Sequence, residues 1–498
     1  MLAAACLAGA AAKKPKLILA IVVDQFRYDY LTRFRSEYKG GLARLLSQGA
    51  VFTNANYIHV PAITAVGHST VLSGATPSTS GIVGNDWYDR DEGAHVTSVS
   101  DARTQLLGGS GPGSSPNRLL VSTVGDELKM AGAGKPRVIG VSLKDRAAIL
   151  PAGHMADGAF WFDVTTGNFV SSSFYYKELP GWAQEFNAPR PADKYRGLTW
   201  LGHKMPEDNA RLFTALEATP FGNELIEAFA ERALTAEQLG MRESTDILTV
   251  SYSSNDYVGH DYGPDSAEVH DVALATDRLL EKLFLAVERQ VGADNYLVVF
   301  TADHGVSPVP EVNAARKMPG GRIDPASIKA AVQSALVKKY GAGDWVAGNW
   351  DLAVYLNQGL IAKSKLDLGE VEREAARAIQ AMPHISRVYT LQQMTQGGGL
   401  NDAVSQKVAN GFHPRRGPDV ELIPDPYWMV KTGQGTSHAS PYSYDTHVPV
   451  IFMGAGIRAG QYRGSIVVND IAPTLSAILE IETPSGSIGR VLTEILVN

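Results

Sequence analysis

Short apolar runs along the chain predict the strands of a buried sheet. Three of them, at residues 17–23, 247–250 and 296–300, are hydrophobic at nearly every position. A strand with one face in water would alternate apolar and polar residues, so these runs favour a parallel sheet that is covered on both faces. Residues 138–142 and 448–453 predict two further strands.

Between these runs the apolar residues follow the helical repeat. The stretch 266–290 predicts a long amphipathic helix, with Val269, Val272, Leu279, Leu283 and Val287 on one face. It joins two predicted strands, so a right-handed strand–helix–strand unit is expected. Shorter helices are predicted at 41–47, 368–382 and 471–479. This alternation predicts an α/β fold: a mostly parallel central sheet with helices on both faces.

Three stretches depart from the alternation and predict insertions into a single domain of residues 16–498. The first, at about 94–116, contains residues 108–116, whose glycine, serine and proline content predicts a flexible loop. The second, at about 160–205, is rich in aromatic residues. The third, at about 307–434, carries predicted helices of its own and is interpreted as a cap.

Composition and charge narrow the class of protein. The chain has 498 residues, of which 44% are hydrophobic and 19% are charged, as in an ordinary globular protein with a large core. Its net charge of −7 gives no support for nucleic acid as a dedicated partner, because such proteins usually carry a basic surface.

The N-terminal segment predicts export from the cytoplasm. Residues 2–12 resemble the apolar core and cleavage region of a secretory signal, and residues 1–12 are interpreted as its remnant. The segment is too short to span a bilayer, so a periplasmic or secreted protein is expected. The single cysteine, Cys6, excludes an intramolecular disulfide. It also leaves lipidation as an alternative, although Ala3 stands where such signals usually have leucine.

Carboxylates and histidines follow the three most apolar runs. Asp24 follows the first, Asp256 and His260 lie after the second, and Asp303 and His304 lie after the third. Ligands of open α/β sheets bind at the carboxyl ends of the strands, and zinc accepts both kinds of side chain. Each pair alone could be structural, as a helix cap or a buried hydrogen-bonded histidine. Their occurrence together predicts a site for two divalent metals.

A sixth ligand is needed if each metal has three protein ligands. The candidates are His438, in a loop of small residues that can approach a metal closely, and His447, which directly precedes a predicted strand. His438 is favoured, and His447 is interpreted as a supporting or structural residue.

A candidate nucleophile lies in the segment 61–74, which reads as a loop that enters a helix at Thr64. Amides at a helix N-terminus favour phosphate, and a nearby metal would lower the pKa of the hydroxyl. The alternative is that Thr64 only caps the helix. His68 could be proposed as a general base, but a structural hydrogen bond is favoured for it.

Taken together, these motifs resemble the alkaline phosphatase superfamily. The resemblance is to the threonine-nucleophile branch of bacterial periplasmic phosphatases, which is close to the nucleotide pyrophosphatase/phosphodiesterases. It covers almost the whole chain and rests on residues 22–27, 64–69, 84–88, 143–146, 255–263, 301–305 and 436–442.

The resemblance implies a role for each residue of these motifs. It implies one zinc held by Asp256, His260 and His438. The ligands that it implies for the other zinc are Asp24, Asp303, His304 and the nucleophile Thr64. It further implies that the non-bridging phosphoryl oxygens are contacted by Asn85, Lys144 and Arg146.

The sequence therefore predicts a zinc-dependent hydrolase of small phosphate monoesters, a monomer, with a phosphothreonine intermediate. The first alternative is a phosphodiesterase or nucleotide pyrophosphatase on the same scaffold. Lys144 and Arg146 argue against it, because a diester lacks the additional charged oxygen that they would contact. The second alternative is a non-catalytic binding protein with a decayed site, and the complete ligand set argues against that.

Overall fold

The computed structural model describes residues 14–397 and 401–497. The predicted signal remnant at residues 1–12, with Cys6, lies outside the described residues, so export stays a prediction. Within them, no helix combines the length and the hydrophobicity that a bilayer span requires.

The strands are short and include all of the predicted apolar runs. In chain order they are β1 (Leu17–Val23), β2 (Ala50–Asn56), β3 (Asp86–Asp89), β4 (Ala94–Thr97), β5 (Ser100–Leu107), β6 (Pro112–Ser114), β7 (Val138–Ser142), β8 (Gly158–Asp163), β9 (Asn168–Ser172), β10 (Thr199–Trp200), β11 (His203–Lys204), β12 (Asp246–Tyr252), β13 (Tyr296–Thr301), β14 (Gly321–Ile323), β15 (Val346–Trp350), β16 (Ala353–Leu356), β17 (Ile385–Thr390), β18 (Val420–Pro424), β19 (Trp428–Val430), β20 (His447–Gly454), β21 (Gly460–Tyr462) and β22 (Ile466–Val467).

The helices alternate with these strands. In chain order they are α1 (Tyr30–Arg33), α2 (Gly41–Gln48), α3 (Thr64–Ser73), α4 (Pro77–Ser80), α5 (Val124–Ala131), α6 (Asp145–Ala152), α7 (Gly181–Asn187), α8 (Asn209–Glu217), α9 (Pro220–Ala236), α10 (Ser254–Tyr262), α11 (Ala267–Val291), α12 (Pro310–Ala315), α13 (Pro325–Tyr340), α14 (Gln358–Lys363), α15 (Leu368–Gln380), α16 (Leu391–Gln396), α17 (Ala403–Gly411), α18 (Ser443–Thr446) and α19 (Ile471–Leu479).

The central sheet is mostly parallel at its core, as predicted. Its order is β21-β2-β20-β13-β1-β12-β7-β8-β9-β5-β6, and β22 pairs with β2. The five strands from β13 to β8 run parallel, whereas β20 is antiparallel to both β13 and β2. Every residue of β1, β12 and β13 is buried, which explains why their sequences do not alternate.

Helices cover the sheet on both faces. Helix α9 contacts β7 and β12 and packs on α11, which in turn packs on α2. Helix α6 contacts the same two strands from the other side and packs on α3, which contacts α19. The helices predicted at 41–47, 266–290 and 471–479 are α2, α11 and α19, and each begins and ends within one residue of its predicted bounds.

The first two predicted insertions differ from their sequence interpretation. Residues 108–116 are not a flexible loop, because β6 pairs with β5 and extends the central sheet. The second stretch begins inside the sheet, where β8 pairs with β7 in parallel and β9 follows antiparallel. Composition reveals glycine and serine but not strand pairing, so the sequence did not predict that parts of both stretches belong to the central sheet.

The third stretch, residues 307–434, holds most of a second structural layer, which we call the cap. Its four-stranded sheet has the order β15-β16-β18-β17, with helices α13 and α15 packed together beside it. A second hydrophobic cluster fills the cap and includes Ile328, Val354 and Leu422. The cap contacts the central domain near β3, which pairs with β4 and packs against β15.

Candidate metal centre

The register of three neighbouring strands brings the predicted ligands to one edge of the sheet. In β1, Val22 lies opposite Thr301 of β13, and Val23 lies opposite Tyr252 of β12. Asp24, the next residue, donates its backbone N–H to the Tyr252 carbonyl over 3.0 Å. The residues that follow β12 and β13 therefore lie on either side of Asp24.

The first ligand set contains Asp24, Asp303 and His304, all fully buried. His304 Nε2 lies 3.5 Å from Asp24 Oδ1 and 3.4 Å from Asp303 Oδ2. None of these three atoms makes a hydrogen bond of normal geometry within the described part of the chain. Buried polar atoms are rarely left unpaired, so three that face one another fit a divalent cation.

Electrostatics also favour a cation at the first set. Burial, together with the charge of Asp303, raises the pKa of Asp24 well above its ordinary value. Two buried carboxylates this close cannot both ionise easily without compensating positive charge. A bound metal ion supplies that charge.

The second ligand set contains Asp256, His260 and His438. Asp256 and His260 are one turn apart on α10, as their spacing predicts, and His260 Nε2 lies 3.2 Å from Asp256 Oδ1. His438 Nε2 lies 3.2 Å from His260 Nε2 and 3.7 Å from Asp256 Oδ1. Ligand atoms of Asp24, Asp256 and His304 also lie within 4.8 Å of one another, so the two sets adjoin.

Backbone carbonyls hold all three histidines with Nε2 facing the centre. Each Nδ1 makes a hydrogen bond to a backbone oxygen, and this fixes Nδ1 as the donor and leaves the Nε2 lone pair available as a ligand. The distances are 2.9 Å from His260 to Thr436, 2.8 Å from His438 to Ala62 and 2.9 Å from His304 to Gly305. Burial lowers the pKa of His304 and of His438, which favours the neutral, metal-binding form.

Thr64 is the first residue of α3, and the N-cap is Ile63, so Thr64 is not the helix cap. Within the described residues its Oγ1 makes no hydrogen bond. Two neighbours in sequence tie this segment to both ligand sets: Ala62 accepts the hydrogen bond from His438, and His68 contacts Asp303. Thr64 therefore lies between the sets with a free hydroxyl.

His68 has the structural role that was favoured for it. Its Nε2 is 2.8 Å from Ser251 Oγ, and its Nδ1 is 2.8 Å from the Thr64 carbonyl and 3.2 Å from Asp303 Oδ2. With both nitrogens engaged and no exposed surface, it holds the start of α3 against Asp303. Gly67 permits this approach, because a Cβ there would lie 2.2 Å from the Asp303 carbonyl oxygen.

Lys144 lies between the two ligand sets. Its Nζ is 2.6 Å from Asp24 Oδ2 and 2.6 Å from Asp256 Oδ2, and its side chain is 3% exposed. Burial opposes the ammonium charge, but the two carboxylates outweigh that effect and raise the pKa of Lys144. The lysine is therefore a fixed positive charge at the junction of the sets.

Asn85 and Arg146 lie on the same side of the sheet as Lys144. The side-chain oxygen of Asn85 accepts a hydrogen bond from Ala65 N–H over 2.8 Å, and this leaves its NH₂ group free to donate elsewhere. Arg146 is the second residue of α6, and within the described chain its Nε has no hydrogen-bond partner. Both side chains are half-buried donors with unused capacity.

Gln25 is a residue that the sequence argument missed. Its backbone N–H donates to Asp303 Oδ1 over 3.0 Å, and its Nε2 donates to Asp256 Oδ1 over 2.6 Å, so it links the two sets. A left-handed backbone conformation, with φ of 62°, makes this possible. The available signal was a polar residue directly after the ligand Asp24.

The alternative sixth ligand, His447, is not at the centre. Its Nε2 contacts the Thr53 carbonyl at 3.1 Å, and its ring stacks on Tyr28. The choice of His438 over His447 agrees with this placement.

Known proteins are similar to this chain in both sequence and fold. The family model described as type I phosphodiesterase/nucleotide pyrophosphatase matches residues 18–448. The chain is 37% identical to alkaline phosphatase PafA of Elizabethkingia meningoseptica, covering 98% of this chain and 95% of PafA. It is 36% identical to alkaline phosphatase PhoV of Synechococcus elongatus, covering 97% of this chain and 93% of PhoV.

Solved structures give the same result. The crystal structure of wild-type PafA matches with a TM-score of 0.92 at 36% identity, covering 98% of this chain and all of that chain. A second PafA structure, with the same TM-score, carries substitutions at one threonine, one asparagine, one lysine and one arginine.

Proposed function

Because the chain belongs to the type I phosphodiesterase/nucleotide pyrophosphatase family, within the alkaline phosphatase superfamily, we propose that it is a secreted alkaline phosphatase with two zinc ions. Its activity is the hydrolysis of phosphate monoesters, in agreement with relatives that match it over nearly its whole length. The proposed path runs through a phosphothreonine intermediate on Thr64.

The position of Lys144 is the observation that carries the choice of a monoesterase. Its ammonium group lies within 2.6 Å of one carboxylate from each ligand set, where a phosphoryl group that spans both sets would be held. A monoester has one more charged oxygen than a diester at neutral pH. A fixed cation at this point stabilises that extra charge.

The two ligand sets fit zinc, with nitrogen and carboxylate oxygen donors in each. We assign Asp24, Asp303, His304 and Thr64 to one ion and Asp256, His260 and His438 to the other. Bound there, zinc would supply the positive charge that lowers the pKa of the attacking hydroxyl and stabilises the departing oxygen.

Thr64 Oγ1 is the proposed nucleophile. Its hydroxyl loses a proton to solvent as Oγ1 attacks phosphorus and a new bond forms between Oγ1 and phosphorus. The bond from phosphorus to the alcohol oxygen breaks, and that oxygen takes up a proton from solvent and leaves as the alcohol. Water then attacks the phosphothreonine, and phosphate leaves while Thr64 regains its proton. The hydroxyl is suited to this because it makes no hydrogen bond within the described chain and lies at the N-terminus of α3, where amides favour phosphate.

The remaining donors would hold the non-bridging oxygens. Asn85 has a free NH₂ group because its oxygen is fixed by Ala65. Lys144 supplies a point charge, and Arg146 supplies a guanidinium that can make two parallel hydrogen bonds. Threonine, asparagine, lysine and arginine are also the four residue types that are changed in the PafA variant, which supports these assignments.

The experiment compares p-nitrophenyl phosphate with bis-p-nitrophenyl phosphate, each with and without EDTA. We expect faster hydrolysis of the monoester and loss of activity with the chelator. In the double variant Lys144→Ala/Arg146→Ala, kcat/KM for the monoester should fall by about 30- to 1,000-fold, as for lost charge-assisted contacts, and much less for the diester.

The matched control is Lys194→Ala/Arg196→Ala. It removes a lysine and an arginine at the same spacing in a surface segment, where Arg196 is engaged with Asp193. Both rates should stay at the wild-type level. Equal losses for the two esters in the Lys144/Arg146 variant would mean that these residues are structural and do not set the preference for monoesters. Faster hydrolysis of the diester by the wild type would favour the phosphodiesterase alternative, and activity that survives EDTA would reject the metal assignment.

A further inference from the structure

A small cavity, which we call the cap cavity, lies where the cap meets the segments that carry Thr64 and Asn85. Its lining residues include Gly84, Asp86, Trp350, Asp351, Tyr355 and Glu421. Gly84 and Asp86 flank Asn85 directly, so the cavity opens next to a proposed phosphoryl contact. Its volume of about 30 Å³ is enough for at least one water molecule.

Glu421 is the unusual member of this lining. It lies on β18 with 4% of its surface exposed, and within the described residues its Oε1 has no hydrogen-bond partner. Burial raises its pKa to about 8, and no ion pair with another described residue offsets this. A buried carboxyl group without a partner, beside a reactive centre, indicates a ligand that supplies the missing partner.

Two further carboxyl groups face the same cavity. Asp86 and the solvent-exposed Asp351 line it. Asp86 Oδ1 already lies 3.0 Å from His95 Nε2, and its other oxygen makes no hydrogen bond within the described chain. Pro61 also lines the cavity, and the carbonyl of the next residue, Ala62, bonds to His438 of the second ligand set. The cavity therefore adjoins the segment that holds this set, which is on the proposed leaving-group side.

Aromatic rings complete the lining. Trp350 and Tyr355 meet edge to face, with ring centroids 5.7 Å apart. Aromatic faces attract ammonium groups, and the attraction strengthens when water is excluded. Acids and rings together are the chemistry that recognises an organic cation.

A metal ion fits this lining less well. Among the described residues, two groups of acids and histidines are close enough to hold an ion, and both lie at the centre: Asp256, His260 and His438, and Asp24, Asp256 and His304. The three acids of the cap cavity do not form another. The small volume favours a primary ammonium over a bulky quaternary one.

We propose that the cap cavity binds the ammonium group of the alcohol that leaves, so that the enzyme prefers phosphate monoesters of primary amino alcohols. This inference rests on the proposed function, because it assigns the leaving group of that same reaction. The phosphate would lie at the metal centre, and the ammonium group would lie among Glu421, Asp86 and Asp351.

The test uses pairs of esters that differ only in charge. The first pair is 2-aminoethyl phosphate and n-propyl phosphate, and the second is 3-aminopropyl phosphate and n-butyl phosphate. In each pair, the ratio of kcat/KM for the amine over the neutral ester is measured in the wild type and in Glu421→Gln. Comparing this ratio between proteins cancels the intrinsic reactivity of the esters.

We expect Glu421→Gln to lower the ratio by about tenfold for at least one pair, as for the loss of a charge-assisted contact. Asp351→Asn, an exposed position that should tolerate the change, tests the same point if the Glu421 variant does not fold. Choline phosphate, whose head group is too large for the cavity, should change little in either variant.

The matched control is Glu372→Gln, which makes the same substitution at a buried acid of the cap whose carboxylate accepts a hydrogen bond from Gln392 instead. Its ratio should equal that of the wild type. Unchanged ratios in both cavity variants, with p-nitrophenyl phosphate still hydrolysed, would overturn the cavity proposal and leave the proposed function intact. Failure of the wild type to hydrolyse any monoester would overturn the proposed function itself.

Discussion

At the scale of single residues, the centre is organised around Thr64. The backbone groups on either side of its side chain make hydrogen bonds, whereas its hydroxyl makes none within the described chain. Ala65 N–H is bonded to Asn85, and the Thr64 carbonyl is bonded to His68. The hydroxyl alone has no partner in the described chain. A side chain fixed on both sides with a free reactive atom is pre-organised for attack.

The role of Thr64 as nucleophile can be tested with two substitutions, one that keeps the shape of the side chain and one that keeps its hydroxyl. Thr64→Val keeps the branched side chain but removes the hydroxyl, and it should lose at least about a thousandfold in kcat, as for removal of a nucleophile. Thr64→Ser should retain much of the activity. Rapid quenching in acid, followed by peptide mapping, should place labelled phosphate on Thr64. Label on Ser69 or Thr70 would show that the nucleophile has been misidentified.

The sequence predicted which acids and histidines the structure brings together, because most of them lie just after a strand or share a helical turn. His438, in a loop, was chosen from the small residues around it. The sequence could not predict the role of Gln25, whose two donors reach different ligand sets only through a left-handed backbone conformation. It likewise predicted Lys144 as a phosphoryl contact but not its contacts with Asp24 and Asp256. Such contacts depend on side chains from distant parts of the chain.

At the scale of elements, the close packing of α3 against the end of β13 sets the geometry of the first ligand set. Gly67 lies at the contact, and His68 spans it to Asp303. This position therefore requires a residue that has no side chain. Its backbone conformation is ordinary for a helix. The sequence contained this signal as a Gly-His pair after Thr64, but nothing local indicated the partner element.

Gly67→Ala should therefore push α3 away from the end of β13. The added Cβ would lie 2.2 Å from the Asp303 carbonyl oxygen, so we expect a loss of about 1–3 kcal/mol in the free energy of unfolding, as for overpacking. Zinc content should fall as well. Urea unfolding and elemental analysis measure both effects.

The control is Gly359→Ala in α14, where a Cβ meets Asn357 Oδ1 at an ordinary 3.5 Å. This change should be neutral or stabilise the protein by up to about 1 kcal/mol, because alanine favours helix more than glycine does. Similar destabilisation by both substitutions would mean that the contact with Asp303 is not the cause.

At the scale of the whole molecule, one large sheet positions the centre and the cap covers part of its approach. The α/β class and the parallel core were predictable, since buried parallel strands have a distinctive apolar pattern. The order of the strands and the position of the cap over Asn85 were not, because both depend on pairing between distant segments. The predicted single domain at 16–498, with its insertions, remains our proposal for the organisation of the chain.

The metal assignment is testable on the intact protein. We expect about two zinc ions per chain, one for each three-ligand set. Asp303→Asn and Asp256→Asn should each retain about one. Removing zinc with EDTA should lower Tm, since ligands that bind only the folded state stabilise it. Protein that contains no metal after gentle dialysis, with unchanged Tm in EDTA, would contradict the assignment.

The antiparallel pairing of β20 with β13 has a consequence for how the molecule is assembled. The candidate ligands extend from Asp24, just after β1, to His438, in the segment between β19 and β20. The centre is therefore complete only when these distant parts of the chain have met. Closing such long loops is slow because the entropy is lost before most contacts form. Tight metal capture should therefore be among the last events of folding, and a ribosome-bound nascent chain that lacks the C-terminal segment should bind zinc at one set at most.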